Sequence, residues 1–209
     1  RKLLKENEDK LKELFDVKIN TNDEIYSAEK ILELSRDSDG ILCAVTDQFN
    51  KDLINKLSSS IKIIANFAVG YGNIDINAAK ERSIVVTNTP EVLDDSTADV
   101  SILLLLGASR KVLEARRAAE RQDWKWSADF MLGKQMSNKR LGILGMGRIG
   151  RAVAKRARGF NMEIHYHNRT QLSKDLEDGA IYHKTIKDLF SCSDFLSINC
   201  PATKETNKI

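Results

Sequence analysis

The stretch from Arg140 to Lys155, RLGILGMGRIGRAVAK, constrains the fold of this chain more than any other. Leu141 to Leu144 is a short apolar run, followed by G-x-G-x-x-G at Gly145, Gly147 and Gly150, followed by a helical pattern. Such glycine patterns are common in loops and carry little weight alone. Here Gly159 closes the helix and a second apolar run follows from Met162 to Tyr166. The stretch therefore reads as strand, tight turn, helix, strand: the β-α-β unit that a dinucleotide fingerprint requires.

The spacing has a chemical reason. Gly145 can take the sharp turn off the strand, Gly147 lets the backbone approach a pyrophosphate, and Gly150 lets the helix pack closely on the strand. The first-turn amides around Arg148 and Ile149 have no intrahelical acceptors and can meet phosphate oxygens. The alternative is a glycine-rich turn that binds nothing.

Residues at the end of the second strand bear on which dinucleotide would bind. A carboxylate there would accept from both ribose hydroxyls and repel a 2′-phosphate. This chain has Asn168, followed by Arg169 and Thr170. A guanidinium and a hydroxyl suit a phosphate, which points to NADP over NAD. The alternative keeps NAD, with Asn168 on the ribose and Arg169 stacked on adenine or facing solvent.

Composition excludes several classes. At 209 residues, 42% hydrophobic and 30% charged, the chain is an ordinary globular sequence of one large or two modest domains. A net charge of +3 with no basic stripe interleaved with aromatics argues against a nucleic-acid partner. The longest apolar run, Ile102 to Leu106, is far short of a membrane span, and no signal peptide is visible. Cys43, Cys192 and Cys200 are unpatterned and read as reduced, buried small residues, which suits a cytoplasmic setting. His165 and His167 alternate on a strand, and with His183 they read as no metal-ligand set.

Elsewhere, strand and helix patterns alternate, so the economical reading is α/β with parallel sheets. Helices are expected over 2–14, 23–35, 51–57 and 75–81, with strands at 17–19, 41–45, 61–65 and 84–86. The continuous apolar run from Ile41 to Val45 reads as a strand covered on both faces. Ser96-Thr-Ala-Asp99 matches a capping box and predicts a helix from Ser96 to about Arg121, buried in its first half. Trp124 and Trp126 could cap the core, line a cleft or contact a partner subunit, and capping the core is the default expectation. Past the fingerprint unit, strands are expected at 180–182 and 195–199 and a helix at 185–190. The chain opens at Arg1 inside a helical pattern and stops at Ile209 just after a strand, so both ends read as cut.

Four motifs together carry a resemblance: Asn66 to Asp75 (NFAVGYGNID), Val86 to Leu93 (VTNTPEVL), Thr97-Ala-Asp99, and Leu141 to Gly150 (LGILGMGRIG). They resemble the D-isomer-specific 2-hydroxyacid dehydrogenases, most closely the glyoxylate/hydroxypyruvate reductase branch, in order along essentially the whole chain. The resemblance implies a flavodoxin-like substrate domain (1–95) and an NAD(P)-binding Rossmann domain (96–209), both incomplete. It implies hydride transfer between NAD(P)H and a small 2-keto acid in a cleft between them, in a homodimer. Val69 and Gly70 match the loop whose amides hold the substrate carboxylate; the alternative is a plain strand-to-helix turn. Thr97 matches the cofactor side of the interdomain helix. Gly145, Met146, Gly147, Arg148, Ile149 and Gly150 match the pyrophosphate cradle, and Asn168, Arg169 and Thr170 the adenosine ribose. Cys200, Pro201 and Thr206 match the segment that wraps the cofactor after its next strand.

Two departures stand out. Ser83 replaces a glycine common in the family's turn, which implies slight strain. The family's catalytic arginine, glutamate and histidine would fall after Ile209, so no catalytic residue is assigned, and these 209 residues alone are expected to show no useful turnover. A phosphoglycerate dehydrogenase-like enzyme, and a non-enzymatic dinucleotide-sensing corepressor on the same fold, remain the alternatives.

Overall fold

The computed structural model of the chain describes residues 1–122 and 124–209. They form two compact α/β units, residues 1–91 and 92–209.

The first unit contains α1 (Lys5–Leu14), α2 (Ala28–Leu34), β1 (Gly40–Ala44), α3 (Lys51–Lys56), β2 (Ile63–Phe67), α4 (Ile76–Glu81) and β3 (Val85–Thr87). The strands pair in parallel in the order β1-β2-β3. Short polar side chains start the helices: Ser27 accepts from Lys30 N–H, Asn50 from Leu53 N–H and Asp75 from Ala78 N–H. Cys43, Phe49, Leu53, Ile54, Ile64, Ala78 and Ile84 form the core. Arg82 closes the C-terminus of α3 by donating to the carbonyls of Ile54, Asn55 and Leu57 at 2.8–2.9 Å. Its charge also complements the negative end of that helix.

Three expectations for this unit are corrected. No strand pairing involves 17–19 among the described residues. The helix expected from residue 23 begins at Ala28, because Asn20 clamps Glu24 through both its amide oxygen and nitrogen and offers the backbone a non-helical alternative. The sheet is covered on one face: Leu42, Val45, Ile63, Phe67 and Val85 are exposed, so the apolar run at 41–45 is not buried on both sides.

The second unit contains α5 (Asp94–Ser109), α6 (Val112–Arg121), β4 (Arg140–Leu144), α7 (Arg148–Arg158), β5 (Glu163–His167), α8 (Lys174–Glu177), β6 (Ile181–Tyr182), α9 (Ile186–Cys192) and β7 (Phe195–Ile198). All four strands are parallel, in the order β6-β5-β4-β7. This is the 3-2-1-4 succession of a Rossmann sheet, with the fingerprint strand β4 at its centre. The order reverses between β4 and β7, which puts the topological switch point beside Gly145. Arg140 and Asp194 lock the opposite end, where the guanidinium and backbone N–H of Arg140 both donate to the carboxylate. These donors hold Asp194 down to about 2. Leu141, Ile143, Val153, Ala154, Ile164 and Tyr166 pack the core between the sheet, α7 and α5.

The expected long helix is two helices. Ser109 O accepts from Lys134 N–H at 2.8 Å, and a Cβ at Gly133 would lie 2.4 Å from that same oxygen. The return segment thus takes a carbonyl that a continuing helix would need, and Lys111 turns left-handed (φ 52°) before α6 begins. The capping box does not form either. The helix starts at Asp94, inside whose first turn the Ser96 hydroxyl donates back to Leu93 O. Asp99 pairs with Arg156 of α7 instead, at 2.5 Å. The first half of α5 is not buried all round, since Val100, Leu103 and Leu104 are exposed. Trp124 and Trp126 are likewise exposed, with Trp124 stacked on Phe130 at 5.5 Å.

Candidate functional site

The turn from β4 into α7 shows what each glycine does. Gly145 has φ 94°, and a Cβ there would lie 2.7 Å from Cys200 N. A Cβ on Gly150 would lie 2.4 Å from Gly145 O, so the first turn of α7 sits directly on the end of the strand. Gly147 differs: no described atom lies within 4 Å of where its Cβ would be. Packing demands glycine at 145 and 150. At 147 a bare backbone faces open space at a helix N-terminus, the geometry a pyrophosphate needs. The chain's own residues therefore fit a dinucleotide.

Asn168, directly after β5, accepts from Met146 N–H at 2.7 Å. The side chain expected at the ribose therefore also shapes the glycine turn, a link with no signature in the sequence. Its backbone carbonyl accepts from Tyr182 Oη at 3.3 Å. Arg169 and Thr170 are exposed beyond it. Tyr166 and Glu177 anchor the loop that carries them. The buried Tyr166 hydroxyl donates to Glu177 and accepts from Leu172 N–H, and Glu177 also accepts from Gln171 and Lys174. Hydrogen bonds from Gln171, Lys174 and Tyr166 hold the Glu177 carboxyl down to about 2, while burial pushes the Tyr166 phenol up to about 12.

On the other side of the switch point, Cys200 lies against Gly145. Pro201 and Thr206 belong to one turn, since the Thr206 hydroxyl donates to Pro201 O at 2.7 Å and accepts from Thr203 N–H. The charge of Arg169 reaches Glu205 in this turn and, after hydrogen bonds from Thr203 and its own backbone, helps to lower the Glu205 carboxyl. Arg148, at the start of α7, pairs with Asp94 at 3.3 Å, which brings the first turn of α5 beside the phosphate turn. Thr97 lies half-buried one turn along α5, donating its backbone N–H to Leu93 O.

In the first unit, Val69 and Gly70 follow β2 in a loop fixed by asparagines. The buried Asn66 donates to Gly70 O at 2.9 Å, and Asn88 donates to Val69 O at 2.9 Å. Asn73 extends the network from Asn66 to the carbonyls of Ala44 and Asp47. The Asn66 and Asn88 bonds fix the loop carbonyls of Gly70 and Val69, and with them the local peptide planes. No motif in the sequence marks these asparagines for that role. The available signal was Asn66 itself, a residue depleted in strands yet placed inside an apolar one.

One further grouping was not visible from spacing. His165 on β5, His183 after β6 and Cys192 at the end of α9 bring three ligand atoms within 4.8 Å of one another. Spacing alone makes no ligand set of the three histidines; the fold adds a thiol to two of them. All three thiols are free, and only Cys43 is fully buried.

The family model for the D-isomer specific 2-hydroxyacid dehydrogenase NAD-binding domain matches residues 102–209. A glyoxylate reductase of Thermococcus litoralis is 43% identical over 181 residues, covering 84% of this chain and 54% of the relative. A glycerate dehydrogenase of Hyphomicrobium methylovorum is 34% identical, covering 93% of this chain and 62% of the relative. The crystal structure of a glyoxylate reductase from Paecilomyes thermophila superposes with a TM-score of 0.79 at 39% identity, covering 87% of this chain and 58% of that one. The chain thus spans somewhat over half the length of the relatives it matches. With its fingerprint turn, its 3-2-1-4 parallel sheet and a match across the second unit, the chain belongs to the D-isomer specific 2-hydroxyacid dehydrogenase family.

Proposed function

We propose that the whole protein reduces a small 2-keto acid, glyoxylate or hydroxypyruvate, to the 2-hydroxy acid at the expense of NADPH. The observation that carries this reading is the open backbone at Gly147 joined through Met146 to Asn168, in a chain 43% identical to a glyoxylate reductase. In this reading residues 1–95 handle the substrate and 96–209 the cofactor. Gly145 to Gly150 hold the pyrophosphate, Thr97 flanks it from α5, and Cys200, Pro201 and Thr206 close the far side. Asn168 and Thr170 hold the adenosine ribose, and Arg169 meets the 2′-phosphate. Bound, the nicotinamide cofactor supplies the hydride. Val69 and Gly70 offer amides to the substrate carboxylate, and the Asn66 and Asn88 side chains keep that loop in shape.

The absence of an acidic residue at position 168 supports NADP over NAD. The exposed apolar residues Val100, Leu103 and Leu104 on α5 support a homodimer. Free thiols support a cytoplasmic setting. No helix among the described residues is long and apolar enough to cross a membrane.

The test is turnover by the full-length protein, followed as NADPH consumption with glyoxylate, hydroxypyruvate and 3-phosphohydroxypyruvate in turn. Preference for either of the first two is the expected result. Preference for the third makes it a phosphoglycerate dehydrogenase, and oxidation with none of them overturns the enzyme reading.

A further inference from the structure

We propose that His165 Nδ1, His183 Nε2 and Cys192 Sγ form a binding site for a thiophilic divalent transition-metal ion, Zn²⁺ in particular. The site lies on the sheet face opposite α7 and away from the glycine turn.

The distances carry the proposal. Sγ of Cys192 lies 3.6 Å from His165 Nδ1 and 3.5 Å from His183 Nε2, and the two ring nitrogens are 2.8 Å apart. In a tetrahedral site with Zn–N of about 2.0–2.1 Å and Zn–S of about 2.3 Å, nitrogen and sulfur ligands stand roughly 3.5 Å apart and two nitrogens roughly 3.3 Å apart. Both N–S separations already match. The two nitrogens need only part by roughly half an ångström, a small rotation of either ring.

The surroundings are those of a ligand set. Glu163 Oε1 lies 2.5 Å from His165 Nε2. A carboxylate only accepts there, so Nε2 carries the ring proton and Nδ1 directs a lone pair at Cys192 and His183. This is the carboxylate–histidine arrangement that orients metal-bound imidazoles. Asp188, one turn before Cys192 on α9, adds a second negative charge acting on His183. His165 is buried, while His183 and Cys192 are partly accessible, which leaves an approach for the ion.

Tertiary structure alone builds the site. His165 pairs in register with Gly142 of β4, and a Cβ at Gly142 would lie 2.0 Å from Ser193 Oγ. The bare backbone at 142 lets the end of α9 settle onto the sheet, which brings Cys192 down to His165.

The proton balance is simple. Without metal, His183 Nε2–H donates to His165 Nδ1 and the Cys192 thiol donates to Leu189 O at 3.2 Å. On binding, the His183 proton moves to its Nδ1 and the thiol proton leaves to solvent, so one proton is released per ion. Two nitrogens and one thiolate hold the ion, with water as the fourth ligand.

The test is titration of the full, metal-stripped chain with Co²⁺, followed by displacement with Zn²⁺. The expected result is one Co²⁺ per chain, visible d–d bands of tetrahedral intensity and a near-ultraviolet thiolate-to-cobalt band, all lost on adding Zn²⁺. Cys192→Ser abolishes the thiolate band, Glu163→Gln weakens Co²⁺ affinity about 10- to 100-fold, and His167→Gln leaves the spectrum unchanged. If Cys192→Ser does not fold, alkylation of wild-type Cys192 by iodoacetamide replaces it, with Zn²⁺ expected to protect that thiol. Octahedral Co²⁺ spectra, a thiolate band that survives Cys192→Ser, or alkylation indifferent to Zn²⁺ would overturn the site and leave a plain hydrogen-bonded histidine pair.

Discussion

The side-chain oxygen of Asn168 accepts the backbone N–H of Met146 at 2.7 Å, tying the residue after β5 to the middle of the glycine turn after β4. One side chain thereby couples the two parts of the proposed dinucleotide site, its glycine turn and its ribose end. An asparagine keeps the acceptor that an aspartate would offer without its charge.

Asn168→Asp preserves that acceptor and places a carboxylate at the proposed ribose end. It is expected to shift the ratio of NADPH to NADH affinity toward NADH by tenfold or more, about 1.4 kcal/mol. Asn168→Ala removes the acceptor and is expected to weaken both cofactors by about 1 kcal/mol. Fluorescence titrations of the two reduced cofactors check both changes.

Gly150→Ala and Gly147→Ala are expected to separate stability from binding. At 150 the new methyl meets a backbone carbonyl, so unfolding free energy is expected to fall by about 1–3 kcal/mol. At 147 the methyl enters open space, and unfolding free energy is expected to stay within about 0.5 kcal/mol of wild type. Urea unfolding of the two variants without cofactor decides the point.

Ser83 sits at φ 56°, which agrees with the strain inferred from its replacement of a glycine. Ser83→Gly is expected to raise unfolding free energy by about 1 kcal/mol, because a left-handed conformation costs an L-residue roughly that much. An unchanged or lower urea midpoint would contradict this account of the turn.

Acid should weaken the second unit through two carboxylates. Glu177 and Asp194 are both held at about 2, below the ordinary 4.5 and 3.8. Folded-state values lower than unfolded ones mean that their stabilisation is complete above the ordinary carboxylate range and is lost as pH falls from there toward 2. Wild type should therefore lose more stability between pH 6 and pH 3 than Glu177→Gln or Asp194→Asn does, as read from urea midpoints at the two pH values.

The parts of the structure legible in the sequence are those set by neighbours along the chain. The β4–α7–β5 unit follows from an apolar run, three glycines and a helical period, and its observed bounds differ from the expected ones by a residue or so. Most of the features missed depend on distant contacts. The helix break at Lys111 comes from Lys134 taking the Ser109 carbonyl, 25 residues along the chain. Asn88 acts on Val69, 19 residues back along the chain. Asn20 and Asn66 act only four residues on, through side-chain bonds to backbone that residue type alone does not single out. The His165–His183–Cys192 grouping needs a sheet register and a bare Gly142, neither of which has a local signature.

The most direct test of the central claim is equilibrium titration of the full-length protein with NADPH and NADH, alongside Gly147→Val and Arg169→Ala. Saturable NADPH binding tighter than NADH binding is expected, with loss of both in Gly147→Val with folding retained, and loss of the preference alone in Arg169→Ala. NADPH affinity unchanged in both variants would contradict the claim.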